Sequence, residues 1–306
     1  MSDLPPVGDL VSVQEFEDVA RRALPAEVFG AIAGGDRQAF DLITLRPRML
    51  VPTLDLDLSV DLLGDTLFAP ILVGPMSEQR RFHPEGELAT ARGAAAAKAV
   101  MVVSSRSSAP LQEIAAQAGS PFWYQVDADQ NAAAAVQRGV QAGCKAVCVT
   151  LGASPSPGAP VNWTLVDRIR QQSSVPTIVK GIMTPADATA AVEKGFAAIV
   201  VSNYQSPVHT ATISVLPSIV DAVAGRVPVL VDGSFRRGSD IFKALAFGAQ
   251  GVLLGRPVMW GLSAYGAAGA QTVVELLQTE LARVMAMCGS INLEALDRRL
   301  LKVHGR

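Results

Sequence analysis

Cysteines, net charge and long hydrophobic runs are all scarce in this sequence, and each shortage excludes a class of protein. The three cysteines lack the spacing of a zinc site, and Cys144 and Cys148 flank a predicted buried strand, so we expect reduced core thiols and no metal site. A formal net charge of −2 argues against nucleic acid or an anionic membrane as a partner. No apolar run approaches the length of a membrane span, and residues 1–10 lack the regions of a secretory signal. We therefore expect a soluble, cytoplasmic protein.

What the sequence does contain is a regular alternation of two patterns, with 49% hydrophobic residues to build a large core. Apolar runs of β type occupy residues 68–73, 100–104, 122–126, 146–151, 177–180, 198–203, 227–232 and 251–255. Segments of helical period between them occupy residues 86–97, 111–118, 132–142, 163–172, 185–194, 213–224 and 239–247. Continuous apolar strands separated by helices indicate a parallel sheet covered on both faces. Eight such units favour an α/β fold of the closed (β/α)8 barrel type over an open doubly wound sheet.

Other segments lie outside this repeat. Residues 13–24 and 25–33 have helical periodicity, and residues 43–66 contain short strand-like runs. A long helix is predicted over residues 264–287, followed by a polar tail. We therefore expect a single domain over residues 1–306, made of an extension (1–66), a barrel core (67–260) and a C-terminal helix and tail (261–306). The added segments would close the bottom of the barrel or form an oligomer contact.

Two consecutive strand ends carry the most informative motif. In VLVDGSFRRG (229–238) a buried strand ends at Asp-Gly-Ser and two arginines, Arg236 and Arg237, precede a helix. In GVLLGRP (251–257) a strand ends at a glycine followed by Arg256. Glycine N–H groups and guanidinium groups on adjacent turns form a phosphate cradle, and phosphates usually bind at the last two strand ends of an eight-stranded barrel. Solvated arginines are the alternative, but two such turns in tandem favour phosphate binding.

Motifs along the rest of the chain extend this interpretation. They are RPRML (46–50), HPEGELATARGAAAA (83–97), VKGI (179–182), VSN (201–203), VDGSFRRGSDIFKALAFGA (231–249) and LLGRP (253–257). Together they resemble the FMN-dependent α-hydroxy-acid oxidising family, which includes glycolate oxidase, lactate oxidase and mandelate dehydrogenase. The resemblance covers nearly the whole chain. It implies a TIM barrel with FMN at the carboxyl ends of the strands, usually in four-fold symmetric tetramers.

Carried over position by position, the resemblance implies an intact FMN site. The implied residues are Pro75, Met76, Ser77, Ser104, Gln125, Thr150, Lys180, Ser202, Asp232, Gly233, Ser234, Arg236, Gly255 and Arg256. In the family the strand-five lysine lies beside flavin N1, so Lys180 would stabilise the negative charge of the reduced flavin. A lysine buried there without a partner would be costly, which also favours a bound anionic partner.

The same comparison implies that the family's catalytic residues are missing. The family motif Ser-Asn-His-Gly-x-Arg reads SNYQSP at residues 202–207, so the histidine base is replaced by Tyr204 and the substrate arginine has no counterpart. The aspartate that orients that histidine aligns with Gly152, and the two substrate tyrosines align with Asp127 and Ala31. A second arginine of the family lies in a loop that is shortened here to residues 153–161, which contain no arginine.

Several side chains are candidates for replacing this machinery. Asp127 and Tyr204 follow strand ends and would transfer a proton if burial or a cation shifts the pKa. Arg106 stands where the family usually has an aromatic residue lining the pocket, and it would bind an anionic group there. Lys180 completes the set of catalytic candidates. His209, in the loop after strand six, is a further candidate base.

Three functions are therefore open. The first is an FMN-dependent oxidoreductase acting on a small molecule other than a simple α-hydroxy acid. The second is a 2-hydroxy-acid oxidase or dehydrogenase with a relocated base. The third is a non-catalytic FMN-binding or assembly protein. In each case the resemblance implies a homotetramer or a higher homo-oligomer.

Overall fold

The computed structural model describes residues 4–119, 121–152, 162–204 and 210–305. The strands are β1 (Ile43–Leu45), β2 (Val60–Leu62), β3 (Asp65–Leu67), β4 (Ile71–Val73), β5 (Val102–Ser104), β6 (Trp123–Asp127), β7 (Ala146–Thr150), β8 (Thr177–Ile182), β9 (Ala198–Val201), β10 (Val229–Asp232), β11 (Gly251–Leu254) and β12 (Leu301–Val303). The α-helices are α1 (Val13–Ala23), α2 (Ala26–Phe29), α3 (Gln38–Asp41), α4 (Glu87–Ala96), α5 (Leu111–Ala118), α6 (Ala132–Gln141), α7 (Trp163–Gln171), α8 (Pro185–Glu193), α9 (Thr212–Val223), α10 (Gly238–Ala246) and α11 (Arg256–Met287).

Strands β4 to β11 form a parallel barrel. Each strand from β5 to β10 pairs with the next strand in the chain, and β11 also pairs with β4. A parallel bridge between Val73 and Met101 joins β4 to the start of β5 and closes the sheet. The (β/α)8 barrel expected from the alternating pattern is confirmed, because all eight predicted runs overlap a barrel strand.

Side chains alternate between two cores, as parallel strands covered on both faces require. One set points into the barrel, where Leu72, Trp123, Ile178 and Leu230 pack together as part of one buried cluster. The other set packs against the surrounding helices in a larger cluster. This alternation explains why the strand sequences read as continuous apolar runs.

The hairpin of β2 and β3 lies before the first barrel strand. Leu62 and Leu67 of this hairpin are buried in the same cluster as the barrel interior, at 2% and 6% exposure. Residues 60–67 therefore pack on the barrel interior, which was one of the two roles expected for the extension.

Both ends of the chain depart from the expected pattern. The segment predicted to be one helix at residues 25–33 contains only the short α2, after which Gly30 begins an irregular stretch. The C-terminal tail contains β12, which pairs antiparallel with β1, so it is not merely a polar tail. The long helix α11 starts at Arg256 and is interrupted at Gly266, whose φ of 59° is not helical.

Candidate functional site

The carboxyl ends of the barrel strands surround a cavity of about 320 Å³. Its wall includes every residue that the resemblance assigns to FMN except Ser202, and also Arg106 and Tyr204. Ser202 lies behind the wall as a hydrogen-bond partner of Lys180, and Asp127 lies beside the wall as the ion-pair partner of Arg106. The volume is within the usual range for small-molecule sites.

The turn after β10 forms one end of this cavity. Gly233 and Ser234 both have positive φ, at 107° and 60°, so the chain reverses sharply there. A Cβ on Gly233 would approach the Thr212 hydroxyl to 2.7 Å, and a side chain at this position would therefore be strained. Consecutive residues with unusual dihedral angles turn their N–H groups toward one side and form an anion-binding concavity.

Two guanidinium groups face the same end of the cavity. Arg236 is only 4% exposed, and its guanidinium carbon lies 4.5 Å from the Trp260 ring centre. Burial, and then the charge of Arg256, lower the pKa of Arg236 to about 9, while burial lowers the pKa of Arg256. Guanidinium groups stay protonated in proteins, so a bound anion, rather than proton loss, is what relieves this environment. The neighbouring Arg237 turns away and pairs with Glu280 at 2.9 Å.

A segment of the N-terminal extension crosses this end of the cavity, a contact that the sequence pattern did not indicate. Arg236 donates to the Gly34 carbonyl at 2.9 Å, and Trp260 donates to the Ile32 carbonyl at 2.8 Å. A Cβ on Gly35 would lie 3.0 Å from both the Arg236 and the Arg256 guanidinium groups. The Gly34-Gly35 pair is the sequence feature that could have indicated this contact, because only a residue without a side chain passes so close to two arginines.

Another part of the cavity wall contains a buried network centred on Lys180. Its ammonium lies 2.8 Å from both the Ser202 hydroxyl and the Asp232 carboxylate, and Ser202 donates to that carboxylate at 2.9 Å. A register shift in β8 falls between Lys180 and Ile182, at Gly181, whose φ is 115°. Bulges of this kind redirect side chains, and this one lies at the VKGI motif.

A second chain of contacts links the ends of β5 and β6. Ser104 donates to Gln125 at 3.1 Å, and the Gln125 amide donates to Asp127 at 2.9 Å. Asp127 in turn pairs with Arg106, whose Nε lies 3.1 Å from its carboxylate. Arg106 and Asp127 are thus held together at the rim, with 43% and 25% of their side chains exposed.

Tyr204 lies at the mouth, where the family pattern places its base. The residue is 48% exposed, and its ring centre lies 5.1 Å from the Lys180 ammonium. Ala31 also lines the cavity. His209 and the segment 153–161 lie outside the described residues.

A buried carboxylate that sequence reasoning did not single out ties two wall loops together. Glu87 is fully buried and accepts hydrogen bonds from the Gln79 N–H at 3.0 Å and from the Ser108 N–H at 2.9 Å. The Ser108 hydroxyl donates to the same carboxylate at 2.6 Å. These loops follow β4 and β5 and carry Met76 and Arg106, so Glu87 holds the rim in place.

The comparisons with known proteins agree with this geometry. The sequence pattern of the FMN-dependent dehydrogenase family matches residues 20–158 and 155–303. The peroxisomal (S)-2-hydroxy-acid oxidase GLO4 of Oryza sativa subsp. japonica is 36% identical, covering 96% of each chain. The L-lactate oxidase of Nostoc sp. (strain PCC 7120) is 36% identical, covering 95% of this chain and 98% of its own. A crystal structure of mandelate oxidase with (S)-2-phenylpropionate superimposes with a TM-score of 0.90 at 35% identity, covering 97% of this chain and 100% of the other.

The chain therefore belongs to the FMN-dependent dehydrogenase family of flavoprotein oxidoreductases, and its cofactor is FMN. The residues present fit that group. The buried Thr150 hydroxyl, which lines the cavity, has no hydrogen-bond partner among the described residues, as a contact to a bound ligand would require. The two arginines beside the Gly233-Ser234 turn supply the charge that a phosphate needs.

In the described ranges, no three His, Cys, Asp or Glu side chains lie close enough together to hold a metal ion. No helix in this part of the chain combines the length and the apolar character needed to cross a membrane.

Proposed function

We propose that the cavity binds FMN with its phosphate between Arg236 and Arg256, and that the protein oxidises a small molecule other than a simple 2-hydroxy acid. The absence of the family base carries this proposal. Tyr204 stands in place of the histidine that removes the hydroxyl proton in the family, and Gly152 stands in place of its orienting aspartate. General base assistance contributes about 10²–10⁴-fold to such reactions.

Each wall has a separate part in the proposed reaction. When bound, FMN supplies the two-electron acceptor. Lys180, at one side of the cavity, would stabilise negative charge on the reduced ring. Ser104, Gln125 and Thr150 would orient the ring by hydrogen bonds, with Pro75, Met76 and Ser77 behind it. Asp232 would accept from the ribitol chain, and Gly233, Ser234 and Gly255 would enclose the phosphate.

The test is anaerobic reduction of the purified yellow protein. FMN should remain bound at micromolar concentration, and glycolate, lactate and mandelate should each reduce it at a rate below about 1 s⁻¹, well under the median enzyme rate. A protein that stays colourless with added FMN would contradict the cofactor site. Faster reduction of the flavin by any of these acids would instead support the relocated base.

The relocated base is the second candidate function, and the position of Tyr204 near Lys180 favours it. The Tyr204 ring centre lies 5.1 Å from the Lys180 ammonium, at the mouth of the cavity where a substrate would enter. Should turnover appear, Tyr204→Phe and His209→Ala separate the two bases, because only loss of the true base lowers the rate a hundredfold or more.

We also propose an oligomeric state, a domain extent and a cytoplasmic location for this protein. We propose a homotetramer, with surface contributed by residues 1–66 and by α11, and a monomer in light scattering at micromolar concentration would contradict it. We propose that residues 1–306 act as one domain, which limited proteolysis of the FMN-bound protein tests. The three buried free cysteines are compatible with the reducing cytoplasm, which cell fractionation tests.

A further inference from the structure

The charges around the cavity are divided between its two ends. At the phosphate end, Arg236 and Arg256 form no ion pair with any carboxylate of the described residues. This uncompensated positive charge is what a phosphate neutralises.

At the other end, each cation already has a carboxylate partner. Lys180 is paired with Asp232, and Arg106 is paired with Asp127. Residues 153–161 and 205–209 contribute no lysine or arginine. A substrate with a lone carboxylate would therefore meet Arg106 together with the repelling Asp127, and no spare cation of this part of the wall among the described residues.

A substrate with both charges fits this arrangement better. The Arg106 guanidinium and the Asp127 carboxylate stand side by side at the rim, and the Gln125 amide fixes the second oxygen of Asp127. A carboxylate beside the guanidinium and an ammonium beside the aspartate would satisfy both groups at once. Such a ligand has no net charge, which matches the net charge of the pair.

The missing base leads to the same class of compound. An alcohol proton is about as weakly acidic as a proton of bulk water, so oxidation of a hydroxy acid needs a strong positioned base. An alkylammonium proton titrates at about 8–10, so a fraction of an amino acid is already the free amine near neutral pH without a dedicated histidine. The free amine then has a lone pair to assist loss of hydride from the adjacent carbon.

We propose that Arg106 and Asp127 bind the carboxylate and the ammonium of an α-amino acid, which this protein oxidises at the carbon that bears nitrogen. The proposal rests on the function proposed above, because FMN is its oxidant. The substrate ammonium loses one proton to water. The Cα–H bond then breaks, its electron pair and hydrogen pass to FMN as hydride, and a C=N bond forms. Water later converts the iminium to a 2-oxo acid and ammonium.

Binding is tested first, with analogues that cannot be oxidised. In 2-aminoisobutyrate and 2-hydroxyisobutyrate the α-hydrogen is replaced by methyl, so each reports binding alone through a shift of the visible flavin band. In the FMN-loaded protein we expect the amino compound to bind at least tenfold more tightly than the hydroxy compound. Tighter binding of the hydroxy compound would overturn the proposal.

Substitution of Asp127 should change the affinities of the two analogues in opposite directions, which a purely structural role of Asp127 would not produce. Asp127→Asn should weaken 2-aminoisobutyrate at least tenfold and tighten 2-hydroxyisobutyrate, because Arg106 is released from its carboxylate. Arg106→Gln should weaken both. The matched control is Asp221→Asn, which breaks another Arg–Asp pair, with Arg298 at 2.7 Å, outside the cavity wall. Parallel losses for both analogues in Asp127→Asn would contradict the assignment.

Oxidation is tested with pairs that share a side chain: alanine and lactate, phenylglycine and mandelate, phenylalanine and 3-phenyllactate, leucine and 2-hydroxy-4-methylpentanoate, in both enantiomers. We expect anaerobic bleaching by at least one amino acid, with one equivalent of 2-oxo acid and of ammonium formed per flavin. If the protein holds FMN but no amino acid of this panel bleaches it, this inference fails while the proposed function stands. If FMN does not bind at all, the proposed function itself fails.

Discussion

The Lys180 ammonium lies 2.8 Å from the Asp232 carboxylate, although the two residues belong to β8 and β10, which are not adjacent strands. Ser202, which follows the intervening β9, hydrogen-bonds both of them. The ion pair therefore reaches across β9. It stabilises the buried lysine, because burying a cation without a partner costs free energy. Substitution of either partner therefore leaves the other charge buried.

The first prediction concerns the potential of the flavin. Lys180→Met should lower the midpoint potential of bound FMN by tens of millivolts, because a cation is lost and Asp232 is left unneutralised; 30 mV corresponds to about 1.4 kcal/mol for two electrons. Lys180→Arg, which keeps the charge, is the control and should stay closer to wild type. Dye-equilibrated anaerobic titration measures both, and an unchanged potential in the methionine variant would show that Lys180 does not face the ring.

The second prediction concerns the phosphate site. Arg256→Ala should weaken FMN binding at least tenfold, since a charge-assisted contact contributes about 1.5–3 kcal/mol. Without FMN the same change should leave stability equal or higher, because Arg256 contributes to the lowered pKa of Arg236.

Fluorescence titration with FMN, and thermal unfolding with and without it, measure the two effects. Arg299→Ala is the control, since that side chain is 82% exposed and pairs only with Asp297 among the described residues. Loss of apo stability in Arg256→Ala would indicate a structural role rather than a phosphate site.

The third prediction concerns packing within α11. The backbones of Gly261 and Gly269 touch across the interruption at Gly266, so a Cβ on Gly261 would overlap the Gly269 carbonyl. Gly261→Ala should destabilise the protein by about 1–3 kcal/mol, as overpacking of a well-filled core does. Gly8→Ala is the control, because a Cβ there meets nothing within 4 Å. Urea unfolding compares the two, and equal midpoints would mean that the two glycines separate without cost.

The fourth prediction concerns thiol titration. Burial raises the pKa of the Cys148 thiol from 9.0 to about 12. Between these values the folded protein keeps a proton that the unfolded chain loses, so this contribution to stability falls as pH rises above 9. At pH 10 the loss is about 1.4 kcal/mol.

Cys148→Ala removes this contribution, so the stability difference between wild type and variant should shrink by that amount from pH 8 to pH 10. Urea unfolding at the two pH values measures it. Cys288→Ala is the comparison, because burial also raises the pKa of the Cys288 thiol, but by less than that of Cys148. A difference that is constant with pH would contradict the burial of the Cys148 thiol.

Local sequence patterns were enough to predict the barrel and the position of its mouth. Apolar runs and helical periods are local properties, and eight of them in alternation have few other compact arrangements. The turn proposed to hold the phosphate could also be identified, because Asp232, Gly233, Ser234 and Arg236 lie within five consecutive residues. These parts depend on neighbours in sequence, so pattern alone identified them.

Contacts between charges and segments that are far apart in the chain became visible only in the tertiary structure. The pairing of Arg106 with Asp127, the pairing of β1 with β12, and the passage of Gly35 over two arginines all depend on strand register and on the path of the N-terminal extension. No periodicity encodes these contacts, because each is set by packing in three dimensions. The Arg106–Asp127 pair, on which the substrate proposal rests, is one of these tertiary contacts.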